Sequence, residues 1–186
     1  MSVDYDKLVT AATLLLEGIG EDVGREGLVG TPDRIARMWA EFIDYDAGKV
    51  DSAFQSVQTD QMVIVRDLRV YSFCEHHAIP FWCDLSVGYL TGQRVLGLSK
   101  FARVAHKHAH KLQLQERLVH EIADEVMELT GSESVAVFAE GVHLCMTMRG
   151  IKTQGVMQTS VLRGMFQEHG TKAEFFELIG RRKPDW

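Results

Sequence analysis

The stretch from Ser72 to Phe81, SFCEHHAIPF, constrains this chain more than any other. Cys74 and His77 stand with two residues between them, and a thiolate and an imidazole at that spacing can hold Zn²⁺. Pro80, Phe81 and Trp82 follow at once, so the stretch reads as a turn leaving one strand and entering another. Upstream, residues 62–73 (MVIVRDLRVYSF) are rich in β-branched and aromatic side chains and predict the first strand. Downstream, residues 81–90 alternate, with Phe81, Cys83, Leu85, Val87 and Tyr89 on one face. Two ligands do not make a metal site, so a third has to come from elsewhere in the chain.

The remaining elements frame that turn. Residues 3–20 predict a helix with Leu8, Ala12, Leu15, Leu16 and Ile19 on one stripe and Gly18 and Gly20 as its stop. Thr31 and Pro32 predict the N-cap and first residue of a second helix, with Ile35, Trp39, Phe42 and Ile43 on its apolar face. Residues 46–60 are polar and without pattern. Thr91-Gly92-Gln93 reads as a hairpin turn into a short strand over 95–98. Ser99 reads as the N-cap of a third helix. Leu114, Leu118, Ile122, Val126 and Leu129 make the stripe of a fourth, ended by Gly131. Residues 134–139 and 142–148 read as paired strands around Glu140-Gly141, and 158–162 as an edge strand. Thr171 to Glu174 reads as a capping box opening a last helix. The sum is α+β: an antiparallel sheet with helices on one face, preceded by N-terminal helices.

Composition narrows the function classes. The chain has 186 residues, 46% hydrophobic with only three prolines, which suits one domain with a real core. A formal net charge of −6 argues against general binding to nucleic acid or anionic membrane. No apolar run approaches the length of a membrane span, and MSVDYDKL does not read as a signal peptide. Three cysteines suggest no disulfide framework, and a cytoplasmic location with reduced thiols is expected.

The third ligand is sought in VHLCMTMRG. Read as a strand, residues 142–149 send Val142, Leu144, Met146 and Met148 into the core and His143, Cys145, Thr147 and Arg149 to the other face. If that face meets the turn, Cys74, His77 and Cys145 complete a three-ligand zinc site with a fourth position for water. Cys145 as a small buried hydrophobe is the competing reading, and Cys83 as a fourth ligand would make a closed structural site. His106, His108 and His110 read as a solvated helix face, because only the first and last share a side. Ser99, Lys100 and Arg103 fall in the first turns of a helix, where free N–H groups favour phosphate, and Arg149 is a further candidate. Glu116 offers a carboxylate that can accept two donors from a guanine edge, though spacing alone makes it an ordinary surface residue.

CEHHAIPF, GLSKFARV, LQLQERL and VHLCMTMRG, in this order and spacing, resemble the GTP cyclohydrolase I family, over residues 22–179. The resemblance implies a tunnelling fold and a ring-shaped homo-oligomer, typically a decamer of two pentamers with active sites at subunit boundaries. It implies an N-terminal helical segment over 1–60, which joins neighbouring subunits, ahead of a catalytic region over 61–186, in a single domain. The family reaction converts GTP and water to formate and 7,8-dihydroneopterin triphosphate. Carried over by motif, Cys74, His77 and Cys145 are the zinc ligands, and zinc-bound water attacks purine C8. His143 protonates the imidazole ring nitrogen, His76 assists proton transfer, and Ser99 serves the later rearrangement. Gln115 and Glu116 recognise guanine, while Lys100, Arg103 and Arg149 bind the triphosphate.

Two departures stand out. The family usually carries a hydroxyl-rich segment after Arg149, where this chain reads GIKTQGVMQ. After Pro80-Phe81 it often has an aromatic, a glycine and a basic residue, where this chain has Trp82-Cys83-Asp84. Two rivals are a non-catalytic pterin- or purine-binding protein with structural zinc, and an oxidoreductase of the same fold acting on a deazaguanine. The CEHH and HLC motifs argue against the second.

Overall fold

The computed structural model describes residues 3–55, 61–92 and 94–181. The chain divides into two compact units, one ending at Asp46 and one beginning at Ala47.

The first unit is a pair of packed helices, α1 (Tyr5–Gly18) and α2 (Thr31–Ile43). Asp4 caps α1 by accepting the Lys7 N–H, and Tyr5 donates to the Asp33 carboxylate at 2.6 Å. Ala12 and Leu16 are buried, whereas Leu15 and Ile19 of the expected stripe are exposed. The cap of α2 is Gly30; Thr31 lies inside the helix and makes no side-chain cap bond.

The second unit is built on a five-stranded sheet in the order β5-β2-β3-β6-β7. The strands are β2 (Met62–Cys74), β3 (Pro80–Leu90), β5 (Leu112–Gln113), β6 (Val135–His143) and β7 (Met157–Leu162). All neighbours are antiparallel except β5, which lies parallel to β2. Helices α3 (Leu98–Ala109) and α4 (Gln115–Thr130) cover one face. Phe81, Cys83, Leu85, Val87 and Tyr89 are all fully buried beneath them, as the alternation predicts. Phe166, in a short turn over Gly164–Gln167, and Phe175 of the last helix, α6 (His169–Gly180), pack against the other face around Ala136.

Several local expectations are corrected. Strands β1 (Ala53–Gln55) and β4 (Arg94–Leu96) pair with each other, so β4 is not the return arm of a hairpin with β3. Thr91 instead ties the chain to Gln61, its N–H donating to the Gln61 carbonyl at 2.8 Å, and Gln93 lies outside the described residues. The N-cap of α3 is Gly97, one position before the helix opens at Leu98, so Ser99 sits within the first turn. Helix α6 opens at His169 with Glu168 as its cap, and no capping box forms at Thr171.

Residues 135–143 form one continuous strand through Glu140-Gly141 rather than two around a turn. Gly141 serves close approach: a Cβ there would meet Gln115 Oε1 at 2.3 Å and the Trp82 carbonyl at 2.9 Å. The strand also ends earlier than expected, at His143, and one helical turn, α5 (Leu144–Thr147), follows. Both neighbours run out there. Pairing with β3 ends at Phe81↔His143 and pairing with β7 at Gly141↔Met157. With no ladder left, the backbone satisfies itself locally, and Met148 N–H donates to the Leu144 carbonyl at 3.0 Å.

Candidate metal centre and active site

Cys74 is the last residue of β2, and Glu75, His76 and His77 make the turn. Ile79 and Ala78 close it: Cys74 N–H donates to the Ile79 carbonyl at 2.9 Å, and Ala78 N–H donates to the Cys74 carbonyl at 2.8 Å. Ala78 takes φ of 51°, a left-handed conformation uncommon for a residue with a side chain. Cys145 arrives from the α5 turn, not from strand alternation. One ligand atom each from Cys74, His77 and Cys145 lies within 4.8 Å of the others. Among the described residues this is the one cluster of that kind.

The donor set fits a divalent cation. Burial, and then the neighbouring Cys74 sulfur, hold the Cys145 thiol above its ordinary value. A cation among the sulfurs reverses that balance and favours the thiolates. Two thiolates and an imidazole are the ligand chemistry of zinc. Cys83 is no part of the cluster. It is fully buried in the core, and burial, with Asp84 adding to it, pushes its thiol up to about 12.

His143 lies beside this centre. Its ring stacks on Phe81, and burial lowers its pKa while Glu116 acts in the opposite sense. Its Nε2 meets Gln115 Oε1 at 2.9 Å. The amide orientation is fixed from behind: Gln115 Nε2 donates to the Met157 carbonyl at 3.0 Å, and Thr159 Oγ1 and the Ala139 carbonyl lie within reach. Gln115 therefore presents an acceptor, so neutral His143 carries its proton on Nε2 and leaves Nδ1 as the exchanging nitrogen. Gln115 is fully buried. Glu116, one residue on in the first turn of α4, is exposed.

His76 is exposed, with Nδ1 3.8 Å from Cys74 Sγ. Arg149 is also exposed and lies 2.7 Å from His77 Nε2, at the metal end of the sheet. Ser99, Lys100 and Arg103 are elsewhere. Ser72, two residues before Cys74, donates to the Ala109 carbonyl at 2.7 Å, which places the C-terminal end of α3 at the metal end. Ser99 lies about 15 Å away along the helix at 1.5 Å per residue. Lys100 Nζ donates to the Lys49 carbonyl at 2.6 Å, and Arg103 donates to the Ala47 carbonyl. Within one chain the phosphate candidates Lys100 and Arg103 do not meet the metal cluster.

The histidines of α3 are not a solvated face. His106 and His110 stack at 5.6 Å and are half-buried, and His108 lies between Glu121 and Glu125 of α4. Phe81, Thr159 and the side chains that hold Glu75 escaped the sequence reading of the site. The sequence marked Phe81 only as a core residue, and its pairing with His143 comes from the register of two distant strands.

These features define a class: an α+β protein with a candidate three-ligand metal centre at one end of its sheet, beside a histidine oriented by a buried carboxamide. The family follows from comparison with known proteins. The family model described as GTP cyclohydrolase I matches residues 8–180. A protein named GTP cyclohydrolase 1 from Sulfurihydrogenibium sp. (strain YO3AOP1) is 45% identical over 186 residues, covering 98% of this chain and 99% of that one. One of the same name from Thermoanaerobacter pseudethanolicus is 46% identical over 187 residues, covering 97% and 100%. The chain belongs to the GTP cyclohydrolase I family, a family of enzymes, and its sheet and helices form the α+β fold expected of it. No helix among the described residues is long and apolar enough to cross a membrane.

Proposed function

We propose that this enzyme converts GTP and water to formate and 7,8-dihydroneopterin triphosphate, the first step of tetrahydrofolate and pterin biosynthesis, in the cytoplasm. The observation that carries the reading is the convergence of Cys74, His77 and Cys145 beside His143 in a chain of this family. Cys74, His77 and Cys145 would hold one Zn²⁺ per subunit, which would supply a Lewis acid to activate water for hydrolysis at purine C8.

The chain's own residues do the rest. His143 gives and takes its proton at Nδ1, since Gln115 holds the Nε2 proton. Gln115 acts through His143, as a positioning residue. Glu116, exposed beside it, takes the guanine N1–H and 2-amino donors. His76 shuttles protons on the exposed side of the turn. Arg149 binds phosphate at the metal end. Lys100 and Arg103, with Ser99, complete the site of a neighbouring copy, because within one chain they lie too far along α3 to serve it. That division of labour supports the ring-shaped homo-oligomer, a decamer of two pentamers.

The test is formate release from GTP with and without zinc, with the pterin followed by fluorescence after oxidation. Equal, zinc-dependent formate and pterin are expected, and Cys145→Ala should lose both together with its zinc. Formate at the wild-type rate from a metal-free variant would overturn the mechanism. Neither product from zinc-loaded, assembled protein would favour a pterin- or purine-binding protein with structural zinc.

A further inference from the structure

Glu75 stands between two metal-ligand candidates, Cys74 and His77, yet has no part in the chemistry above. Its carboxylate accepts from the guanidinium of Arg117 on α4. Arg117 Nε in turn donates to Gln113 Oε1 at 2.7 Å. The Gln113 backbone carbonyl accepts the Glu75 N–H at 3.1 Å. The three contacts close a circuit: Glu75 is gripped by its backbone and its side chain, and both grips end on Gln113.

Gln113 is a firm anchor. It is fully buried, and its Nε2 donates to the His108 carbonyl at 3.0 Å and to Glu121 Oε2 at 2.9 Å. Its Oε1 also accepts the Leu114 N–H at 2.9 Å. Glu121 is itself held by Lys111 at 2.8 Å. The turn it secures needs securing. His77 is an exposed ligand on an exposed turn, and the turn runs through the left-handed Ala78. Freedom left in such a turn would have to be surrendered when a metal binds.

We propose that Arg117, with Gln113 and Glu75, is a positioning clamp that holds the Cys74–His77 turn in ligand geometry and so sets metal affinity. The inference rests on the reading of Cys74, His77 and Cys145 as metal ligands. A forked guanidinium suits the task, since one edge faces Gln113 and the other Glu75; a lysine offers a single point charge and cannot span both.

The experiment is a Co²⁺ titration of the purified full chain, read by the thiolate-to-cobalt charge-transfer band and by competition with a chromophoric chelator. The wild type should bind with that band. Arg117→Met should bind about 10- to 100-fold more weakly, the usual range for a residue that orients a ligand. Arg117→Lys should recover part of the loss. Glu75→Gln, on an exposed turn, gives a second variant that does not endanger folding and should also weaken binding. Joined in one chain, Glu75→Gln and Arg117→Met should weaken binding no further than the more damaging of the two single changes. A merely structural role would lower the thermal midpoint of the metal-free protein and leave the affinity of the folded fraction alone. Affinities equal to wild type in both single variants would overturn the clamp and leave the metal site standing. A wild type that shows no thiolate band would overturn the metal reading itself.

Discussion

His143 and Phe81 are register partners across β6 and β3, and their rings stack with centroids 4.5 Å apart and planes 7° apart. The stack fixes the plane of the imidazole, and Gln115 fixes which edge of it carries the proton. Gln115→Leu keeps the volume and removes the acceptor. The kcat should fall about 100-fold, the scale of general acid–base catalysis, with KM for GTP little changed and the metal retained. The pH profile of kcat should shift as the ring loses its preferred tautomer. The same change strips the Met157 carbonyl of its side-chain donor, costing about 1–3 kcal/mol in urea unfolding. A raised KM with kcat intact would mean that Gln115 reads the substrate instead.

Gly141→Ala tests the same contact from behind. The new methyl would sit 2.3 Å from Gln115 Oε1 and 2.9 Å from the Trp82 carbonyl, and a strand carbonyl cannot swing aside. The carboxamide has to move, so the kinetic signature of Gln115→Leu should reappear, with about 1–3 kcal/mol of destabilisation from overpacking. Gly170→Ala is the control. It lies in α6 with nothing within 4 Å of the added Cβ, and activity and stability should hold or improve slightly.

The sheet core was legible because Phe81, Cys83, Leu85, Val87 and Tyr89 line one continuously buried face of β3, so alternation marked them even though Ser86 and Gly88 on the other face are buried too. The candidate metal trio was legible from residue type and the family resemblance together. What places Cys145 was not: α5 forms because β3 begins at Pro80 and β7 pairs no further than Met157, facts about other strands. Helix starts misled for a related reason. Thr31, Ser99 and Thr171 look like caps, but the chain enters each helix earlier, through Gly30, Gly97 and Glu168. The burial of Gln115 was not legible, because nothing local shows that β6 and β7 close over it. Its partners Ala139, Met157 and Thr159 are distant in sequence.

Cys83→Ser separates the core thiol from the metal thiols. Cys83 is fully buried in the sheet core and lies outside the Cys74, His77 and Cys145 cluster. Metal content should match wild type. Stability should drop by about 1–3 kcal/mol, because a hydroxyl in that core position exchanges an apolar contact for a polar group lacking a designed partner. Loss of metal on this change would restore the closed four-ligand site. Metal analysis and urea unfolding on the same preparation distinguish the two.

His110 gives the fold a pH dependence of definite sign. Burial first, and then the stacked His106, push its pKa down from 6.5 to about 4. The unfolded chain takes up this proton near 6.5, while the folded chain refuses it until about 4. Between those values the unfolded state binds more protons, so the stability His110 contributes is whole above 6.5 and drains away as pH falls toward 4. His106 is lowered by burial and acts in the same direction. Glu121, beside His108, is held below its ordinary value, burial raising it and the hydrogen bonds from Lys111 and Gln113 lowering it by more, so the wild-type curve mixes several groups. The difference between wild type and His110→Leu isolates the ring, because the carboxylates are common to both. The urea midpoint of the variant should fall less than that of wild type as pH drops from 6.5 to about 4, and parallel curves would mean that the ring takes its proton without cost in the fold.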